Sequence, residues 1–212
     1  MDSNSFTTAE VAKLCRVSDA TVKRWESAGS LTSERTSGGH RRFRAEEIAR
    51  FRKGQKLGLS SKLGSESVSM AVKRRRLDSS LSDCEYFHAL CSGSEERATD
   101  ILIKRVLNGE PLPKLLDGLV TKTMHHIGHL WHQGKITIAQ EHFASRTAFA
   151  ALHNLRSSLS VPETKNKLAS CFAFEGELHE LPTRCAQMTL ECIGWDVWNF
   201  GGNTPLYSVA AE

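Results

Sequence analysis

The chain has 212 residues, 40% of them hydrophobic, and a formal net charge of +4. That apolar fraction supports a packed core and excludes wholesale disorder, while the basic surplus up to Arg76 points to a polyanion partner near the N-terminus. No signal peptide is recognisable, no apolar run can span a bilayer, and the six cysteines form no Cys-x-x-Cys pair, so a cytoplasmic chain with reduced thiols is expected.

Thr7-Thr8-Ala9-Glu10 reads as a capping box, in which a threonine accepts from the helix start and Glu10 reaches back. Val11, Leu14 and Cys15 then give one apolar face. Arg16-Val17 predicts a short turn, and Ser18 is a good N-cap for a second helix in which Val22 and Trp25 continue the buried face. Gly29 ends that helix. Two short helices across a tight turn make a helix-turn-helix. Its second helix presents Asp19, Thr21, Lys23 and Arg24 outward, as a major-groove reader requires.

Leu31–Thr36 and His40–Phe43 predict two extended runs around the turn Ser37-Gly38-Gly39. This is a β-wing with His40, Arg41 and Arg42 at its tip, where arginines reach phosphates or a narrow minor groove. A third helix begins at Ala45–Phe51 with Ile48 and Phe51 inward. The stretches Thr8–Ala12, Thr21–Glu26 and Gly38-Gly39-His40-Arg41-Arg42-Phe43 resemble the MerR family of regulators. The resemblance implies a homodimer or higher homo-oligomer on an inverted-repeat DNA operator. A small helical domain that binds protein instead is the alternative.

Gly54 to about Leu81, rich in Ser, Gly, Lys and Arg, reads as a connector. Within it Lys73–Arg76 is either a phosphate contact or a solvated charge run. From Leu81 to about Leu159 the pattern is helical. Ser94 starts a helix with Ala98, Ile101, Leu102 and Leu107 inward. The next begins near Pro113 and carries Leu115, Leu116, Leu119, Met124, Ile127 and Trp131. A capping box at Thr137-Ile138-Ala139-Gln140 opens the last, with Phe143, Phe149 and Leu152. With Asp83–Cys91 these make four helices and hence a four-helix bundle.

The short turn after Gln133-Gly134 brings two helix ends together, so Trp131, His132, Glu141 and His142 are expected at one end of the bundle. His125, His129 and His132 share one helical face. They form either a transition-metal site or a solvent-facing histidine stripe.

Leu168–Phe174 is an apolar run suited to a buried strand, Pro182–Cys192 a helix, and Trp195–Phe200 a second strand, giving one βαβ unit. The loop after the first strand holds Glu175, Glu177, His179 and Glu180, where open α/β sheets carry ligands. A histidine beside acids can offer one ring nitrogen to a metal while a carboxylate holds the other N–H, or it is simply a surface-loop side chain.

Trp131, nine intervening residues, then Glu141-His142, followed by Glu177-Leu178-His179, resembles the CarH/CarA/LitR family of cobalamin-binding photoreceptor repressors. The resemblance implies adenosylcobalamin as cofactor. His179 would be the lower axial ligand of cobalt, with Glu177 in the same loop motif. Trp131 and Glu141 would pack on the adenosyl group, with His142 beside them, and His132 would be an upper ligand after light. The implied fold is mainly α with an α/β end. It comprises a winged helix-turn-helix over 1–75, a linker over 76–82, a four-helix-bundle cap over 83–162 and a partial flavodoxin-like (Rossmann-like) domain over 166–212. The chain departs from the family in Pro182, where the family has glycine, and in ending at Glu212 after two strands, which reads as a C-terminal truncation. A regulator that senses cobalamin and light, and is not an enzyme, is expected. The alternative is a MerR-type regulator whose C-terminal part only contacts another protein.

Overall fold

The computed structural model describes residues 5–15, 17–54, 84–164 and 166–210. Arg16, the connector beyond Gly54 and the run Lys73–Arg76 lie outside them. The chain divides into two units at Leu159/Ser160.

The first unit opens with the short strand β1 (Ser5–Phe6) and α1 (Thr8–Cys15). The capping box forms: Glu10 N donates to Thr7 Oγ1 at 3.3 Å, and Thr7 N donates to Glu10 Oε2 at 2.8 Å. Ser18 caps α2 (Asp19–Ser27) by accepting from Thr21 N, and Gly29, at φ 71°, lets the chain leave that helix. β2 (Glu34–Arg35) and β3 (Arg41–Arg44) form the wing, and α3 (Ala45–Gly54) follows. The sheet order is β1-β3-β2, antiparallel throughout, with Phe6 opposite Phe43 and Arg35 opposite Arg41. β1 escapes a sequence reading because two residues carry no periodicity.

Val11, Val22, Leu31, Phe43 and Ile48 close the core of this head. Truncating one such side chain, Phe43→Ala for instance, costs about 3–5 kcal/mol through lost transfer energy and a residual cavity. Trp25 is only half-buried and tilts against Phe51 with ring centroids 4.7 Å apart.

Four helical stretches follow: α4 (residues 84–91), α5 (Glu95–Leu107), a composite of α6 (Leu112–Leu115), a π turn (Leu116–Thr121) and α7 (Lys122–His132), and α8 (Ile138–Ser158). Ser94 stands at the N-cap of α5 but makes no side-chain cap. Ala144, Ala148 and Ala151 form a small-residue seam on α8, which packs against α5. Tyr86, Leu90, Leu102, Leu115, Leu119 and Leu152 fill the interior.

Trp131 and Phe143, which stand on the apolar patterns of α7 and α8, are 47% and 53% exposed. The π turn takes an extra residue, displacing the downstream apolar stripe by about 100° from a 3.6-residue count. Trp131 falls in the last turn, beyond Ile127, the last buried residue of α7.

The head also seats on the bundle, because α3 packs against α5 and α8. Arg44 pairs with Glu34 at 2.8 Å and with Glu96, and Lys53 donates to the Ser157 carbonyl. Asp100 is buried at this seam with one carboxylate oxygen unpartnered. Burial, then the Glu46 and Glu96 carboxylates, push its pKa up to about 6 against the pull of Arg44.

The second unit is β4 (Leu168–Phe174), α9 (Leu181–Glu191), β5 (Asp196–Thr204) and a last turn, α10 (Leu206–Val209). The strands pair in parallel, with Ser170 opposite Trp198 and Cys171 opposite Asn199. This is the βαβ unit read from the sequence, with two corrections. β5 runs on through Gly201-Gly202 to Thr204, and β4 is not a buried strand, since Leu168 is 53% and Phe174 62% exposed. Met188 and Gln187 of α9 are buried, while Leu168, Phe174, Trp198 and Phe200 stay exposed. Pro182 lies in the first turn of α9, where its missing N–H would have no helical partner anyway.

Candidate functional site

Three surfaces carry the residues singled out above. On the head, α1, α2 and the wing enclose an open groove of about 520 Å³ lined by Thr7, Thr8, Asp19, Lys23, His40 and Arg42 among others. Lys23, Arg24 and His40 are exposed, Arg42 is half-buried, and Thr21 is half-buried with its hydroxyl 3.0 Å from that of Ser18. The positive side chains face a concavity that starts at a helix N-terminus, an arrangement suited to phosphate oxygens.

Arg41 differs from its expected place at the wing tip. The tip is Ser37–Gly39, with Gly39 at φ 76°, and Arg41 lies within β3. Its Nε donates to Glu26 Oε2 at 2.7 Å while the Ser33 hydroxyl donates to Oε1 at 2.7 Å. These two bonds, Ser33 first, hold the Glu26 carboxyl below its ordinary pKa. Arg41 therefore braces the wing against α2.

At the bundle end, the short connection between α7 and α8 joins the turn that carries Trp131 and His132 to the one that carries Glu141 and His142. The predicted capping box forms there, with Gln140 N donating to Thr137 Oγ1 at 3.2 Å. Glu141 accepts from Ser145 Oγ at 2.6 Å and lies 2.6 Å from His142 Nδ1. Trp131, Ile138 and Phe143 add exposed apolar surface to the same two helix ends, and the Phe143 ring lies over Gly93, where a Cβ would come within 2.3 Å of it. An exposed indole on one of these helix ends and a fixed carboxylate on the other suit a ligand with one apolar face and one hydrogen-bond donor. His132 is exposed. His129 Nε2 lies 2.7 Å from the Gln133 amide, and no group of three or more His, Cys, Asp or Glu among the described residues is placed to hold a metal ion. The His125, His129, His132 stripe is therefore a solvent-facing one.

In the second unit, Gly176 (φ 88°) turns the chain after β4, and Glu177 folds back on His179. Glu177 Oε1 accepts from His179 N at 2.8 Å and lies 2.5 Å from His179 Nδ1. The backbone bond first, then the ring bond, lower the Glu177 pKa, so the carboxyl is ionised and acts only as acceptor. With Nδ1–H donating to that carboxylate, Nε2 is the ring nitrogen left facing outward, and it carries a lone pair in the neutral tautomer. The His179 side chain is 80% exposed. A carboxylate-oriented imidazole with its second ring nitrogen facing outward is a donor that transition metals take.

Residues 7–43 match the MerR family regulatory protein model, and residues 85–156 match the B12 binding domain model. The N-terminal head is thus similar to MerR family regulatory proteins, and the helices after it are similar to B12 binding domains. The chain is also similar to the HTH-type transcriptional repressor CarH of Myxococcus xanthus, 23% identical over 217 residues that take in 92% of this chain and 70% of CarH. Two solved structures also align. One is the methanol:cobalamin methyltransferase complex MtaBC from Methanosarcina barkeri (17% identical, 69% of this chain and 65% of that one, TM-score 0.36). The other is a cobalamin-binding protein from Desulfitobacterium hafniense DCB-2 (18% identical, 61% of each chain, TM-score 0.31). This chain spans less than two thirds of either, and scores this low define no shared fold.

Proposed function

We propose that this chain is a transcriptional repressor that senses adenosylcobalamin and light. The observation that carries the reading is the His179 imidazole, locked through Nδ1 on Glu177 with Nε2 bare and exposed. That donor set fits the cobalt of a corrin, and the exposed Trp131 with the Glu141 carboxylate fits an apolar, hydrogen-bonding upper group. When bound, adenosylcobalamin supplies a cobalt–carbon bond that light breaks. His179 would hold the cobalt while Glu177 fixes the orientation of its ring, and Trp131 and Glu141, with His142, would contact the adenosyl group. His132, exposed in the same turn as Trp131, would be a second imidazole available to the cobalt. The head, through Lys23, Arg24, His40 and Arg42 with Thr21 at the helix start, grips an inverted-repeat operator as a homodimer or higher oligomer. The similarity to CarH supports a regulator and not an enzyme. The βαβ unit is read as part of a flavodoxin-like domain.

The test is to incubate the full chain with adenosylcobalamin in the dark, gel-filter it, and illuminate with green light. Corrin co-eluting with protein, and a change in elution volume after light, support the reading. Protein eluting free of corrin overturns it. A second reading, a C-terminal unit that only contacts protein, draws on the exposed Trp198, Phe200 and Tyr207, and corrin-free elution would favour it.

A further inference from the structure

We propose that Gly202 and Asn203, on β5, are positioning residues that set the reach and direction of His179; this rests on the reading of His179 as a cobalt ligand. The loop that bears His179 makes few packing contacts: Glu175 through Glu180 are all exposed. A loop so bare would wander, yet its backbone is tied at two points to one residue of the neighbouring strand. Gly176 N donates to Asn203 Oδ1 at 2.8 Å, and Asn203 N donates to the Glu177 carbonyl at 2.7 Å. One asparagine thus clasps the loop with both its side chain and its backbone, immediately before the Glu177–His179 pair.

Asn203 does this at φ 52°, a left-handed conformation that asparagine tolerates better than other non-glycine residues. Gly202 permits the approach. A Cβ there would lie 3.2 Å from the carbonyl oxygens of both Glu177 and Leu178, so the loop backbone would have to give by a few tenths of an ångström to admit any larger residue. The strand pairing is irregular at this point, with register shifts between Cys171 and Phe172 and between Phe172 and Phe174. Such irregularities re-aim backbone beside functional loops. The clasp fixes Glu177, and Glu177 fixes the imidazole, so the ligand atom inherits its place from β5.

The test uses the full chain labelled with ¹⁵N-histidine and loaded with cob(II)alamin, read by electron paramagnetic resonance. A protein histidine on cobalt gives the two-line splitting of ¹⁵N, whereas the cofactor's own base gives three lines. Asn203→Gly keeps the left-handed backbone but removes the Oδ1 acceptor, and Asn203→Asp keeps that acceptor. The wild type and Asn203→Asp should show the two-line pattern. Asn203→Gly should lose it in part and retain cob(II)alamin about fivefold more weakly, the equivalent of one net hydrogen bond. Wild-type splitting and affinity in Asn203→Gly would overturn the inference. A wild type without ¹⁵N splitting removes the ligand reading itself, and the inference with it. If Asn203→Gly does not fold, amide exchange at Gly176 in the cobalamin-free wild type decides: protection supports the clasp, and exchange at the rate of an open loop overturns it.

Discussion

The bundle end and the α/β loop each hold a histidine against a carboxylate, and the two pairs are built differently. Glu141 and His142 are neighbours on the first turns of a helix, 2.6 Å apart, with the acid one-sixth exposed and held again by Ser145. Glu177 and His179 are 2.5 Å apart on a loop whose side chains face solvent. The helix pair has its rigidity from α8 and stands beside apolar surface. The loop pair has rigidity only from hydrogen bonds and offers a bare ring nitrogen. The difference teaches that a similar His–carboxylate contact can be held rigid by a helix in one place and by loop hydrogen bonds alone in another, where the proposed reading makes it a metal ligand.

The largest separation of the two pairs is expected from His179→Ala against His142→Ala. Losing His179 should weaken cobalamin retention by more than about a hundredfold and shift the corrin absorbance, since a direct ligand is gone. His142→Ala should leave the absorbance band positions unchanged; equal spectra for both variants would break the comparison. Next, Glu177→Ala should cost about 10–100-fold in affinity because the imidazole loses its orientation. Titration of the apo chain with cob(II)alamin measures this, and wild-type affinity would contradict it. The lowered Glu177 pKa gives the sign of the pH effect. The ionised lock is complete above the free glutamate value, about 4.3, and is lost only as pH falls through the lower folded value. Trp131→Ala, at the helix pair, should weaken retention about tenfold and selectively for the adenosyl form over cob(II)alamin. Equal weakening for both forms would mean the indole does not face the upper group.

The smallest effect belongs to a carboxyl with no histidine at all. Asp100 titrates near 6 in the folded chain. A raised carboxyl pKa means the folded state holds the proton more tightly than the unfolded chain, so stability falls as pH rises from about 4 to about 6 and stays lower above. Asp100→Asn should therefore raise stability at pH 7 by about 1 kcal/mol and flatten that slope. Thermal unfolding across pH 4–8 checks the sign, and a lowered Tm at pH 7 would refute the placement of Asp100 at the α3–α5 seam.

Much of this was legible in the sequence, for reasons that differ by region. Thr7, Glu10, Ser18, Gly29, Thr137 and Gln140 act within one turn of chain, so their roles follow from spacing alone, and the structure keeps each of them. The Glu177–His179 contact is likewise local. Interior and surface were harder. Trp131 continues the buried stripe of Thr123 and Ile127, yet it lies in the last turn of α7, beyond the packed part of the helix, and its residue type does not announce that. The run Leu168–Phe174 reads as buried by composition, but burial of a strand depends on what covers its second face. Arg41 looked like a wing-tip contact until Glu26, fifteen residues away, proved to be its partner. Asn203 lies well over twenty residues from the loop it ties, and its only signal was an asparagine after two glycines, which fits many turns.

The central claim is that one chain couples a corrin site to a DNA-reading head. Its most direct test is the affinity of the full chain for duplex DNA selected from a random pool, measured with adenosylcobalamin in the dark and again after green light. The account predicts tight dark binding that needs the corrin and falls at least about tenfold on illumination, a coupling of ordinary allosteric size. Equal affinity with and without adenosylcobalamin, in dark and in light, would contradict it.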